Sequence, residues 1–167
     1  MVDIRTPAHG DVEAIALLME DLDRFYGATD VEPLSERIPQ IAAALFPEPR
    51  AAYVLLAREG EQLVGIAAYS FLWPAAGVTR SLYLKEIYVS EAFRSKGIGA
   101  LLMQRLCQVA VERECSRVEW TTDKGNVLGE DFYERLGVPQ NQEKIFYRLE
   151  GEDIRRMAAI RSYSPPP

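Results

Sequence analysis

Apolar positions recur along this chain in two rhythms, and the switches between them mark out the elements. Val2 to Arg5 reads as a short strand. After Gly10-Asp11, the residues Val12, Ile15, Ala16, Met19 and Leu22 return at helical spacing and predict a helix with that face in the core. Gly27 to Pro33 predicts a loop. Leu34 to Phe46 predicts a second helix through Ile38, Ile41, Ala42 and Leu45, kinked or split by Pro39 and ended by Pro47 and Pro49. Ala52 to Arg58 and Leu63 to Trp73 are β-rich runs joined by Glu59-Gly60-Glu61, the pattern of a hairpin, and Ser81 to Val89 predicts the next strand.

From Gly97 to Cys115 the period returns to helical: Ile98, Leu101, Leu102, Leu106, Val109 and Ala110 form one stripe, with Gln104, Arg105, Gln108 and Glu112 opposite. Arg117 to Thr121 predicts a strand, Asn126 to Leu136 a helix, Lys144 to Leu149 a last strand and Ile154 to Ile160 a short helix. Strand, helix, strand across Ser81 to Thr121 is a βαβ unit, so its two strands are expected to be parallel. The fold class is therefore α/β with a mixed sheet. One domain is expected over residues 1–161, with 162–167, ending Ser164-Pro165-Pro166-Pro167, as a disordered tail.

Composition narrows the function. The 167 residues are 48% hydrophobic and 26% charged, ordinary for a globular chain with a proper core. A net charge of −6 argues against nucleic-acid binding and would steer in a cationic substrate. No apolar run is long enough to span a membrane, and Met1-Val2-Asp3-Ile4-Arg5 lacks the form of a signal peptide, so a cytoplasmic protein without membrane partners is expected. His9 is the only histidine, and Cys107 and Cys115 fall in one predicted helix, too far apart for a disulfide; neither a metal site nor a His-based triad is expected.

The chemistry gathers at Arg94-Ser95-Lys96-Gly97-Ile98-Gly99-Ala100, a turn between a strand and a helix. The first amides of a helix lack intrahelical partners and carry partial positive charge, which suits phosphate. Gly97 and Gly99 allow left-handed backbone and close approach, and Arg94 and Lys96 add full charges. The alternative is a glycine-rich helix entry with exposed basic residues. Leu102 stands where a dinucleotide fingerprint needs its third glycine, and the Gly-Lys-Ser/Thr of a P-loop is missing.

The remaining pattern, R-x-x-G-x-G after a strand ending Ile87-Tyr88-Val89, resembles the acetyl-CoA loop of the GNAT N-acetyltransferase superfamily. Asn126-Val127-Leu128-Gly129-Glu130-Asp131-Phe132-Tyr133-Glu134-Arg135-Leu136-Gly137 resembles the second CoA motif of that superfamily, with Gly129 where many members have Ala. The resemblance implies the GNAT fold, a central mixed antiparallel and parallel sheet flanked by helices, over nearly the whole chain. Acetyl-CoA is then the co-substrate and a homodimer the expected assembly. Leu82 to Val89 followed by Phe93-Arg94 looks closest to the diamine branch, the spermidine/spermine and thialysine acetyltransferases, in which Lys85-Glu86 is usually a pair of acids.

Acetylating an amine requires a neutral nitrogen, a polarised thioester carbonyl and a proton for the departing thiolate. Glu86 is the candidate base, or else an anchor for the ammonium group. Strict strand alternation would turn Lys85 and Tyr83, rather than Glu86, to the side of Val89, and a bulge would reverse that parity. The resemblance implies Tyr133 as the acid to the thiolate. It also implies cofactor contacts from Ile87, Tyr88 and Val89, from Arg94 through Ala100, and from Asn126, which as an N-cap would instead anchor its helix. Tyr26, Asp30, Tyr83 and Lys85 are the candidate acceptor contacts, with Asp21, Asp23 and Glu32 nearby as acceptor contacts or solvated charges. A small-molecule primary amine is the expected acceptor. A peptide or protein N-acetyltransferase and a non-catalytic acyl-CoA-binding module are the alternatives.

Overall fold

Gly60 turns at a φ of 60° and closes the tight hairpin between β2 (Tyr53–Glu59) and β3 (Gln62–Leu72). The computed structural model describes residues 1–159. The chain divides into two compact units, Met1–Val127 and the residues from Leu128 onward.

In the first unit β1 (Val2–Arg5), β2, β3 and β4 (Arg80–Val89) are successively antiparallel, and β5 (Cys115–Trp120) joins β4 in parallel, giving a five-stranded mixed sheet in the order β1-β2-β3-β4-β5. Val54, Leu56, Ile66 and Tyr88 on one face pack with Ile15, Leu18 and Leu22 of α1 (Val12–Phe25) and Leu45 of α2 (Leu34–Leu45). Each such side chain taken fully from water contributes about 1.5–3 kcal/mol. α3 (Ile98–Glu112) covers the other face with buried Ile98, Leu102 and Leu106, so closely that a Cβ on Gly65 would stand 3.4 Å from Leu102 Cδ1.

Two buried charges fix the helices. Asp11 accepts from Arg5 at 2.6 and 2.7 Å, from Arg58 at 3.1 Å and from the Ala8 amide at 2.7 Å, tying the start of α1 to β1 and β2. Arg37, 8% exposed, pairs with Asp23 and with Glu32, and donates to the Glu32 carbonyl at 3.0 Å, tying α2 to the end of α1. Asp23 of α1 and Glu32 of the following loop are thus partners of a buried cation.

Three expectations are corrected. α2 continues through Pro39 as one helix and is not split there: the lost N–H costs a single helical bond, to the Ser35 carbonyl. α3 stops at Glu112, Glu114 takes a φ of 55°, and Cys115 opens β5, so the two cysteines do not share a helix. Lys144 to Leu149 forms no strand, and Ile145, Phe146, Tyr147 and Leu149 are exposed: β-favouring residues alone make no strand without a ladder. The second unit holds the rest of α4 (Val127–Arg135) and α5 (Glu152–Ala158), while the expected tail at 162–167 lies outside the described residues. Among the described residues no helix is long and apolar enough to cross a membrane.

Candidate active site

β4 and β5 pair only from Arg80 and Cys115 to Leu84 and Trp120, beyond which β4 continues to Val89 with β3 but without β5. The Ser90 amide donates to the Val64 carbonyl at 3.0 Å. By antiparallel alternation, Ile87 and Val89 therefore aim their backbone groups away from β3, toward the side that β5 has left. Two of these groups are engaged within the chain: the Ile87 amide donates to Glu86 Oε1 at 3.2 Å, and the Val89 carbonyl accepts from Arg94 Nε at 3.0 Å. The Val89 amide and the Ile87 carbonyl point to the same side.

A bulge decides which side chains meet here. Tyr69 pairs with Leu84 and its neighbour Ala68 with Glu86, leaving Lys85 as an extra residue. Leu82 and Leu84 consequently face α3, whereas Glu86 and Tyr88 face α1. The reversal falls on Tyr83, which comes to the Glu86 side through its pairing with Ser70; Glu86 and Val89 remain on opposite faces. Tyr83 therefore does not turn to the Val89 side as a regular strand would require. The Tyr83 hydroxyl meets Thr121 Oγ1 at 3.2 Å, just past the end of β5, and Lys85 is exposed.

Glu86 is half-buried. Burial pushes its carboxyl above the ordinary glutamate range, and Asp123 adds to the rise, while the Ile87 amide, Lys85 and the Tyr26 hydroxyl oppose it. Tyr26, the residue that caps the end of α1, donates from its hydroxyl to Glu86 Oε1 at 3.4 Å. Its phenol is raised by burial and then by the charge of Glu86. Asp123 was not among the sequence candidates; its signal is its position three residues beyond Trp120, the last partner of β4. Asp30 is exposed in the loop between α1 and α2.

The glycine loop enters α3 as its residues demand. Gly97 at a φ of 80° is the N-cap, its carbonyl accepts from the Leu101 amide at 3.1 Å, and Ile98 sinks into the core. Ile98, Gly99 and Ala100 thereby present first-turn amides at the helix N-terminus. Gly99 is helical, and the second left-handed residue is Ser95 at a φ of 61°. Arg94 lays its guanidinium over Phe25 and Tyr88, and Lys96 places its ammonium 4.5 Å from the Phe93 ring centroid. A Cβ on Gly97 would meet no protein atom within 4 Å, so the cap faces open space.

Asn126 precedes α4, with its amide bonded to the Asp123 carbonyl at 3.1 Å and its side chain donating to Thr122 Oγ1 at 3.2 Å. In the second unit Tyr133 is half-buried beside Phe132, their ring centroids 5.2 Å apart, and Gly137 at a φ of 73° follows the helix. Among the described residues no group of three or more His, Cys, Asp and Glu side chains is disposed to hold a metal ion.

A model of the Acetyltransferase (GNAT) family matches residues 15–138. The chain is 27% identical to thialysine N-epsilon-acetyltransferase of Sus scrofa over 166 residues, 93% of this chain and 96% of that one. It is 32% identical to L-ornithine N5-acetyltransferase of Arabidopsis thaliana over 82 residues, 49% of this chain and 36% of that one. An integron cassette protein from the mobile metagenome of V. cholerae superposes with a TM-score of 0.88 at 27% identity, covering 95% of this chain and 98% of the other.

Proposed function

The chain belongs to the GNAT acetyltransferase family and is an acetyl-transfer enzyme, and from that premise we propose that it moves acetyl from acetyl-CoA to the primary amine of a small molecule, a diamine, polyamine or amino acid. The observation that carries this reading is Glu86, a half-buried carboxylate with a raised pKa where β4 outruns β5, on the strand that leads into the glycine loop. The names of the thialysine and ornithine relatives support an amine that also bears a carboxylate.

Acetyl-CoA supplies an activated thioester. The amides of Ile98, Gly99 and Ala100, with Ser95, Lys96 and Gly97, hold its phosphates at the start of α3. The Val89 amide and the Ile87 carbonyl pair with its pantetheine arm beside Tyr88, and Asn126 serves the same co-substrate. Glu86 takes a proton from the incoming ammonium, directly or through water, so that the neutral nitrogen forms the new C–N bond as the C–S bond breaks. Tyr133 gives the thiolate its proton, and the second proton, lost by the nitrogen as the amide forms, restores the phenol through solvent. Tyr26, Asp30, Tyr83 and Lys85 face the acceptor, and a homodimer belongs to the same reading by family resemblance.

The test is release of free CoA thiol against a panel of spermidine, simple diamines, ornithine, lysine and thialysine, compared with hydrolysis of acetyl-CoA alone. Acceptor-dependent release with at least one small amine supports the reading. Release no faster than hydrolysis with every amine, while a peptide N-terminus is acetylated, overturns it.

A further inference from the structure

The carboxylate of Glu86 has two oxygens in unequal circumstances. Oε1 receives both donors, the Ile87 amide at 3.2 Å and the Tyr26 hydroxyl at 3.4 Å. One donor belongs to its own strand and the other to the far end of α1, so together they fix the carboxyl plane. The end of α1 is itself held: the Tyr26 amide donates to the Leu22 carbonyl at 3.1 Å, Leu22 is buried in the core, and the preceding Phe25 is covered by the Arg94 guanidinium.

We propose that Tyr26 is a positioning residue for proton transfer, pinning Glu86 through Oε1 so that Oε2 is the oxygen that receives the proton of the acceptor ammonium. The proposal rests on the reading of Glu86 as the base. A carboxylate that accepts two hydrogen bonds on one oxygen keeps the lone pairs of the other for the substrate, and its rotation about the last side-chain bond is blocked. The charged and titratable groups around Glu86 are Lys85 on its own strand, Tyr26 at the end of α1 and Asp123 beyond β5. Lys85 and Tyr26 favour the ionised carboxylate, and Asp123 disfavours it. Removing the Tyr26 hydroxyl therefore leaves Glu86 harder to ionise.

The experiment measures kcat/KM against pH for the wild type, Tyr26→Phe and Glu86→Gln with the best amine. Glu86→Gln is expected to lose the acidic limb. Tyr26→Phe is expected to keep the limb but displaced to higher pH, so that its deficit is several-fold on the acid side and narrows as pH rises. Its thermal response to acetyl-CoA is expected to persist. A Tyr26→Phe limb at the wild-type pH, with Glu86→Gln behaving as expected, overturns the positioning role alone. A wild-type profile in Glu86→Gln overturns the base reading and this proposal with it. A second measurement does not depend on the Tyr26 variant folding: in the wild type and in Glu86→Gln the ionisation of Tyr26 is followed by tyrosine carbon-13 NMR. The phenol is expected to titrate at lower pH in Glu86→Gln, and an unchanged titration overturns the contact.

Discussion

Arg94 lays its guanidinium flat against Phe25, 4.6 Å from the guanidinium carbon to the ring centroid, while its Nε donates to the Val89 carbonyl. The stack is worth about 0.5–2 kcal/mol, more as it is desolvated. Arg94 is thereby a brace between the end of β4, the end of α1 and the loop that leads into α3. The second cation of the loop, Lys96, rests its ammonium over Phe93.

Gly97→Val tests whether the loop holds the anion. Left-handed backbone costs an ordinary residue about 1–2 kcal/mol, and no protein atom obstructs the new side chain, so the variant is expected to fold with a modestly lowered thermal midpoint. The branched side chain stands where the anion would approach. Acetyl-CoA at a hundredfold excess over Kd stabilises a binding protein by about 2.7 kcal/mol. Scanning fluorimetry is expected to show that gain in the wild type and its loss in Gly97→Val.

Asp11→Ala is expected to destabilise the protein by about 2–3 kcal/mol. Breaking a buried ion pair costs more, but Arg5 lies partly in water and is rehydrated. The hydrogen bonds from Arg5 hold the Asp11 carboxyl below its ordinary range, with the Ala8 amide and Arg58 adding to the effect. Its contribution is therefore complete above the ordinary carboxylate range and lost as pH falls through the lowered value. Denaturant melts at several pH values should show the gap between wild type and variant closing on acidification.

Tyr133→Phe keeps the ring beside Phe132 and removes only the hydroxyl. The response to acetyl-CoA is expected to stay as in the wild type, while kcat falls at least about tenfold, proton donation being worth about 10² to 10⁴. Steady-state kinetics with the best acceptor decide it, and an undiminished kcat makes the residue structural.

Lys85→Glu alters the charge at the bulge without breaking a ladder pair. Two unit charges 4 Å apart in water interact by about 1 kcal/mol, so reversing one is worth about tenfold or more in discrimination. The ratio of kcat/KM for spermidine to that for ornithine, measured on the high-pH plateau, is expected to rise. A ratio that stays the same or falls would remove Lys85 from acceptor selection.

Much of this was legible in the sequence because it follows from local rules. The stripe from Val12 to Leu22, the Gly60 hairpin and the glycine loop each satisfy a periodicity or a backbone requirement that few other arrangements meet. Leu82-Tyr83-Leu84-Lys85-Glu86-Ile87-Tyr88-Val89 reads as a regular strand, and only pairing with β3 reveals Lys85 as the extra residue. Ser95 carries no mark of its left-handed backbone, since serine is not a residue that ordinarily signals that conformation. Arg37 reads as a surface cation on α2 until Asp23 and Glu32 close around it. The contact of Tyr26 with Glu86 spans 60 positions, and no local pattern encodes it. Lys144 to Leu149 failed for the converse reason, having the β-favouring residues of a strand but no ladder.

The bulge also sets how β4 can change over evolutionary time. A paired residue cannot be lost from a strand without exchanging the faces of everything on one side of the loss. Lys85 is the exception, because Leu84 and Glu86 already alternate as neighbours would. A lineage could delete it, straighten the strand and still present Glu86 to α1. Deletion of Tyr83 or Ile87 would instead carry polar groups into the layer beneath α3. Position 85 is thus where this strand can change length while keeping Glu86 in register.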